Sequence, residues 1–144
     1  MVTFTIKGQP MGKQRPKFST YGGFVKTYTP KETVNYETLV KMSYYGLQYF
    51  GDEPLKVTIK AYYQIPKSYS KKKRLMAING ELRPITKPDC DNIAKIICDA
   101  LNSVAYDDDK QIVELVVQKY YAEEPRTEVT IEWEKKFQCL YGQE

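Results

Sequence analysis

An α+β fold, with a mixed β-sheet packed against helices in a single domain over residues 1–144, is what this sequence predicts. Three observations carry that reading. Leu55, Val57, Ile59, Ala61 and Tyr63 alternate strictly with more polar residues, the period-two signature of a half-buried strand. Ile93, Ile96, Ile97, Ala100, Leu101 and Val104 recur at helical spacing and form the strongest apolar stripe in the chain. The length, 144 residues, is a common size for one domain with a real core, and no repeat, low-complexity tract or long linker divides it.

The elements follow in order. Val2-Thr3-Phe4-Thr5-Ile6 alternates and reads as a strand. Gly8 to Gly23 carries Gly, Pro and basic residues and reads as a loop, and Phe24 to Tyr28 reads as a short strand. Thr29-Pro30 has the form of a helix start, Thr29 as cap and Pro30 at the first helical position. Tyr36, Leu39, Val40, Tyr44 and Leu47 then keep helical spacing up to Gly51. The Leu55 strand ends at Pro66. Ser70 caps a short basic helix through Ile78, stopped by Asn79-Gly80. Ile112 to Tyr121 reads as a strand, expected to pair with Thr127 to Trp133 across the turn Glu123-Glu124-Pro125-Arg126.

Composition narrows the chemistry. No histidine occurs, which excludes Ser-His and Cys-His nucleophilic catalysis and any His-ligated zinc. Cys90, Cys98 and Cys139 are odd in number and lack metal-site spacing, against a disulfide framework or zinc site and in keeping with a reducing cytosol. No apolar run at the N-terminus suggests a signal peptide or membrane helix. Catalysis, if any, rests on carboxylates, lysine, hydroxyls or a metal. Charge is divided unevenly: residues 1–88 hold sixteen Lys and Arg against five Asp and Glu, whereas residues 89–144 hold six against thirteen. Either the basic part holds an anionic partner, nucleic acid first among them, or the division reflects only a solvated surface.

Most of the notable acid lies in one stretch, Lys87-Pro88-Asp89-Cys90-Asp91-Asn92, then the helical stripe, then Asp107-Asp108-Asp109. Oxygen-rich clusters of this kind suit a hard divalent cation such as magnesium. Asp91, Lys95 and Asn102 fall on one helix face, about opposite Ile93 and Ala100. Asp89 precedes the helix, and Asp91 falls in its first turn, where the helix dipole favours a carboxylate. Plainer roles stand beside these: Asp89 or Asp91 as a helix cap, Asp107 to Asp109 as a polar turn, and Lys95 as an i,i+4 ion-pair partner of Asp91. In the functional alternative, Lys95 holds a phosphate or stabilises charge developing on it. Lys13, Arg15 and Lys17 in the Gly-Pro loop, and the run Lys71-Lys72-Lys73-Arg74, are either DNA contacts or solvated surface. Some of the 13 tyrosines belong to the core and others could stack on opened bases.

Lys87-Pro88-Asp89-Cys90-Asp91-Asn92 with Lys95, Asp99-Ala100-Leu101-Asn102, Asp108-Asp109 and Gln111-Ile112-Val113 resembles the RusA family of Holliday junction resolvases. So do Gly8, Pro10, Lys13, Arg15-Pro16 and Tyr28-Thr29-Pro30 nearer the start. The resemblance implies a RusA-like fold and a homodimeric, metal-dependent endodeoxyribonuclease that cuts four-way DNA junctions symmetrically in recombination and repair. It implies Asp89, Asp91 and Asp109 as metal ligands and Lys95 as the catalytic lysine, with Asp108 the neighbouring family acid and Asp107 an extra residue that leaves Asp108 or Asp109 as the third ligand. Magnesium, with manganese as a substitute, is the implied cofactor; branched DNA and a second copy of the chain are the implied partners. A bacterial or phage-encoded protein of the cytoplasm, without membrane attachment, completes that expectation. Two alternatives remain open, a non-catalytic nucleic-acid-binding module with a structural ion and a nuclease for forks, flaps or D-loops.

Overall fold

The computed structural model describes residues 1–134. One four-stranded sheet is built from β1 (Val2–Lys7), β4 (Leu55–Gln64), β5 (Ile112–Ala122) and β6 (Arg126–Trp133) in the order β1-β6-β4-β5. Helices α1 (Lys31–Tyr44) and α3 (Cys90–Ala100) cover one face, and the short α2 (Lys71–Ile78) packs near the end of β5. A separate two-stranded ribbon joins β2 (Lys17–Tyr21) to β3 (Phe24–Tyr28). The expected α+β architecture with a mixed sheet is present: β4 runs parallel to β5 and antiparallel to β6, and β6 runs antiparallel to β1.

The core follows the sequence periods. Leu55, Val57, Ile59, Ala61 and Tyr63 of β4 are all buried, and they meet Ile93, Ile96, Ile97, Ala100 and Leu101 of α3 in one cluster with Phe4, Ile6, Val129 and Ile131. At about 2 kcal/mol for each large buried side chain, this contact accounts for most of what holds α3 on the sheet. Val104 lies past the helix and is only partly buried. Ser70 caps α2 as expected, its Oγ accepting the Lys73 N–H at 3.2 Å, and Gly80 turns the chain away with φ +80°.

Several expectations are corrected. Pro30, with ψ 142°, is the cap of α1 and not its first helical residue, so Thr29 lies outside. The helix stops at Tyr44 because Gly46 takes a positive φ of 82°, and its buried row is Thr33, Tyr36, Val40 and Tyr44, with Leu39 and Leu47 exposed. Residues 8–23 are not all loop, since Lys17–Tyr21 forms β2. Gly22 and Gly23 both take positive φ, the two-residue turn whose twist suits a hairpin. The expected hairpin between β5 and β6 does not form, for β4 lies between them. The α2–α3 crossover lays β5 parallel on one edge of β4, a connection that needs a dozen residues or more. The three-residue link from Ala122 to Arg126 then steps over the end of β4. That gap is about 10 Å, and four Cα steps of about 3.3 Å span it. Cys139 lies outside the described residues; Cys90 and Cys98 are unpaired.

Candidate active site

The first turn of α3 anchors the site. Asp89 is its N-terminal flanking residue, but its side chain accepts no capping hydrogen bond, so the plain capping role does not hold. The Asp91 carboxylate likewise has no hydrogen bond or ion pair among the described residues. Tyr63, buried in β4, donates from Oη to the Pro88 carbonyl at 2.7 Å and ties the approach to α3 onto the sheet.

The basic loop before β2 is docked here. Gly12 packs against this turn so closely that a Cβ there would lie 2.8 Å from Pro88 Cβ and 2.9 Å from Asn92 Cβ. The Lys13 N–H donates to the Asn92 carbonyl at 2.9 Å. The Lys13 ammonium then reaches Glu37 Oε1 at 2.6 Å and Asp99 Oδ2 at 3.5 Å. Burial alone would lower the pKa of Lys13, but these two acids outweigh it and raise it. Lys13 therefore belongs to a hydrogen-bonded and ion-paired network on α3 and α1 rather than to a solvated loop surface. Arg15 lines the adjoining cavity and Lys17 opens β2 as an exposed residue.

Lys95 does not pair with Asp91. Its Nζ turns down the helix to Asp99 Oδ1 at 3.3 Å, an i,i+4 pair, and its side chain remains 61 % exposed. Asp99, 20 % exposed, thus lies between two ammonium groups, those of Lys13 and Lys95. Asn102 is past the end of α3 and does not share the helix face with them. Its Oδ1 instead accepts the Asp109 N–H at 2.8 Å, which places the second acidic group relative to the helix.

The three consecutive aspartates are separated by their partners. Tyr49 Oη donates to the Asp107 carboxylate. Asp108 caps a single 3-10 turn (Asp109–Gln111), its Oδ1 accepting the Lys110 N–H at 3.0 Å while Gln111 Oε1 accepts the Asp108 N–H at 3.0 Å. Gln111 also donates to the Gly51 and Glu53 carbonyls, both at 2.8 Å, clamping the turn to the loop before β4. Asp109 is left to line a cavity of about 330 Å³ with Asp91, Lys95, Ala94, Cys98 and Leu115. Desolvation, Asp108 and then Asp99 raise the Asp109 carboxyl above the usual range, while backbone hydrogen bonding to Lys110 lowers Asp108. Burial pushes the Cys98 thiol up to about 12, so it lines the cavity as a neutral group and not as a thiolate.

The sequence-predicted acids are therefore brought together in part. Asp91 and Asp109 line one cavity, and Asp91, Asn92 and Lys95 extend it into a second of about 580 Å³ with Lys13, Arg15 and Asp99. Asp89 lines a third, about 470 Å³, which shares Lys13, Gln14 and Asn92 with the second. Among the described residues no three His, Cys, Asp or Glu side chains converge closely enough to cage an ion by themselves. Two carboxylates across one cavity nevertheless fit a hydrated magnesium ion, which keeps several waters and needs few protein ligands. Lys71 to Arg74 lie elsewhere: Arg74 pairs with Glu123 at 3.9 Å beyond the far end of β5, and Lys73 sits over the Tyr69 ring. Eleven strand residues at about 3.3 Å each put roughly 35 Å between that end and Asp109. Gly12, Glu37, Asp99 as a lysine anchor, and Asn102 as the support of Asp109 were not found from sequence. Only Asp99, four residues after Lys95, had a readable signal.

A family model described as endodeoxyribonuclease RusA matches residues 7–132. The chain is also 40 % identical over 134 residues to the uncharacterized protein YqaN of Bacillus subtilis (strain 168), covering 90 % of this chain and 94 % of that protein. No helix among the described residues is long and apolar enough to cross a membrane. With the match spanning β4, β5, nearly all of β6 and all three helices, the chain belongs to the RusA endodeoxyribonuclease family.

Proposed function

We propose that this protein is a magnesium-dependent, structure-selective endodeoxyribonuclease that resolves four-way DNA junctions by paired cuts as a symmetric homodimer. One observation carries the reading: Asp91 and Asp109, from separate elements, line a single cavity with Lys95, and the docked basic loop continues that cavity outward. Asp91 and Asp109 would hold the cation, and Asp89, which lines a separate cavity, is the third acid that the family resemblance implies. A divalent ion there would neutralise phosphoryl charge, activate water and ease departure of the alkoxide, work for which the chain has no histidine. Manganese, with similar oxygen preference, should substitute.

The protein's own groups do the rest. Lys95, largely exposed and lining the same cavity as the two carboxylates, would meet a phosphoryl oxygen. Arg15 and Lys17, past the docked segment, engage flanking phosphates, and Lys71 to Arg74 reach DNA farther from the cut. Resolution into two ligatable duplexes needs equivalent cuts on opposed strands, and one site per chain makes a closed two-fold dimer the economical arrangement. Tyr36 and Tyr44 are core residues, so an interface at α1 would use Met42 and, just past the helix end, Tyr45, both well exposed.

The test is cleavage of a synthetic mobile four-way junction with and without magnesium, beside forks, flaps and D-loops. Paired, metal-dependent cuts confined to the junction are the expected result. A second reading, a non-catalytic nucleic-acid-binding module, would use the same Asp91 and Asp109 carboxylates to hold a structural ion. Binding without cleavage at any magnesium or manganese concentration would select it.

A further inference from the structure

The β2–β3 ribbon leaves the body directly from the docked loop, four residues after Lys13. Its described side chains are exposed on both faces. Phe18 is 73 % exposed, Phe24 74 % and Val25 66 %. A lone two-stranded hairpin is marginal in water, so a ribbon with no covered face calls for a partner. The pairing sorts its side chains. Lys17 opposes Tyr28 and Ser19 opposes Lys26, so Lys17, Lys26, Tyr28 and Phe24 share one face, while Phe18, Thr20 and Val25 share the other. From Gly8 to Lys31 the chain has five Lys and Arg and not one Asp or Glu. Cations interleaved with exposed rings, without a single acid, match phosphates and base faces far better than they match another protein.

We propose that this ribbon is an arm that grips branched DNA, with Lys17 and Lys26 on phosphates and Phe24 and Tyr28 stacked on bases that are unpaired at the branch point. Its root is fixed by the Lys13–Asn92 hydrogen bond beside the carboxylates, so DNA seated at the candidate site passes alongside the arm. The inference rests on reading the chain as a branched-DNA nuclease, and it adds the element that distinguishes a branch from plain duplex.

The experiment uses the full chain and a four-way junction carrying 2-aminopurine at the branch. Binding is measured against salt for the wild type and for three paired variants: Lys17→Ser with Lys26→Ser, Phe24→Ser with Tyr28→Ser, and Phe18→Ser with Val25→Ser. The lysine pair should lower the slope of log affinity against log salt by about 2, since each lost phosphate contact contributes about 0.9. The Phe24/Tyr28 pair should weaken junction binding about tenfold or more, leave linear duplex binding unchanged, and remove the 2-aminopurine response. The Phe18/Val25 pair should behave as wild type. Wild-type cutting with all three pairs unaffected overturns the arm alone, whereas a wild type that neither binds nor cuts the junction overturns the underlying reading. Conversion of a dimer to a monomer by either hydrophobic pair, seen by mass in solution without DNA, would assign the ribbon to a second copy and overturn the arm as well.

Discussion

Gly12→Ala is the sharpest test of how the site is assembled. The added Cβ would lie 2.8 Å from Pro88 Cβ and 2.9 Å from Asn92 Cβ, and both of those atoms sit next to backbone and cannot swing aside. Ordinary carbon contacts begin near about 3.5–4.0 Å, so the loop must lift by about 1 Å. That displacement stretches the 2.9 Å bond from Lys13 N–H to the Asn92 carbonyl beyond useful length. Overpacking costs about 1–3 kcal/mol and the lost hydrogen bond about 1, with relaxation of the loop reducing the sum to about 2. For a chain of this size the melting temperature should fall by about 4–8 °C. Turnover should fall further than stability alone requires, because Lys13 and Arg15 move with the loop, and misplacement on this scale can cost on the order of a hundredfold. Thermal denaturation by circular dichroism and single-turnover junction cleavage, both below the melting range, give the two numbers. A variant that melts and cuts as the wild type does would show that the loop is not seated on α3.

The remaining predictions concern charge. Asp91→Asn and Asp109→Asn should each abolish cleavage while junction binding persists, and Asp89→Asn should do likewise; near wild-type turnover by any one removes it from the metal set. Asp108→Asn keeps a capping oxygen, so it should retain most turnover; if it alone is inactive, the third ligand is Asp108. Lys95→Ala should fold normally and cut poorly, and Asp99→Asn should reduce kcat without weakening DNA binding, because it frees Lys95 while removing an acid from the phosphate path. Equal turnover of the wild type and Lys95→Ala would reduce Lys95 to a surface ion pair. The Asp109 carboxyl is raised by burial and neighbouring acids, so its contribution is favourable below the usual carboxylate range and is lost as pH rises through the raised value. At neutral pH the metal-free protein therefore carries that penalty, and Asp109→Asn should melt higher than the wild type in chelator; a lower melting temperature refutes the assignment.

Much of the fold was legible because burial imposes a period. The β4 alternation and the α3 stripe each describe a single buried face, and both appear in the core, the stripe without Val104. Strand order was not legible, because it depends on partners rather than on period. β5 and β6 read as a hairpin from their short separation, yet β4 has two edges to satisfy and its crossover with β5 takes one of them. Gly22-Gly23 likewise reads as punctuation until the strands on either side are known to pair, when positive φ at both positions becomes the turn they need.

The site divides along the same line. Asp89, Asp91 and Lys95 could be placed because they lie on or beside one helix, where sequence spacing is geometry. The choice within Asp107-Asp108-Asp109 could not, since spacing treats three neighbours alike. Which of them lines the cavity depends on residues outside the triplet: Tyr49 takes Asp107, the clamp of Gln111 on Gly51 and Glu53 fixes the turn that Asp108 caps, and Asn102 holds the backbone of Asp109. Each of these contacts removes one aspartate from availability or aims another, so the identity of the cavity-lining acid is a property of the surrounding turn and not of the motif. A variant such as Asn102→Ala, which touches no carboxylate, should therefore disturb the placement of Asp109 without altering the charge at the site.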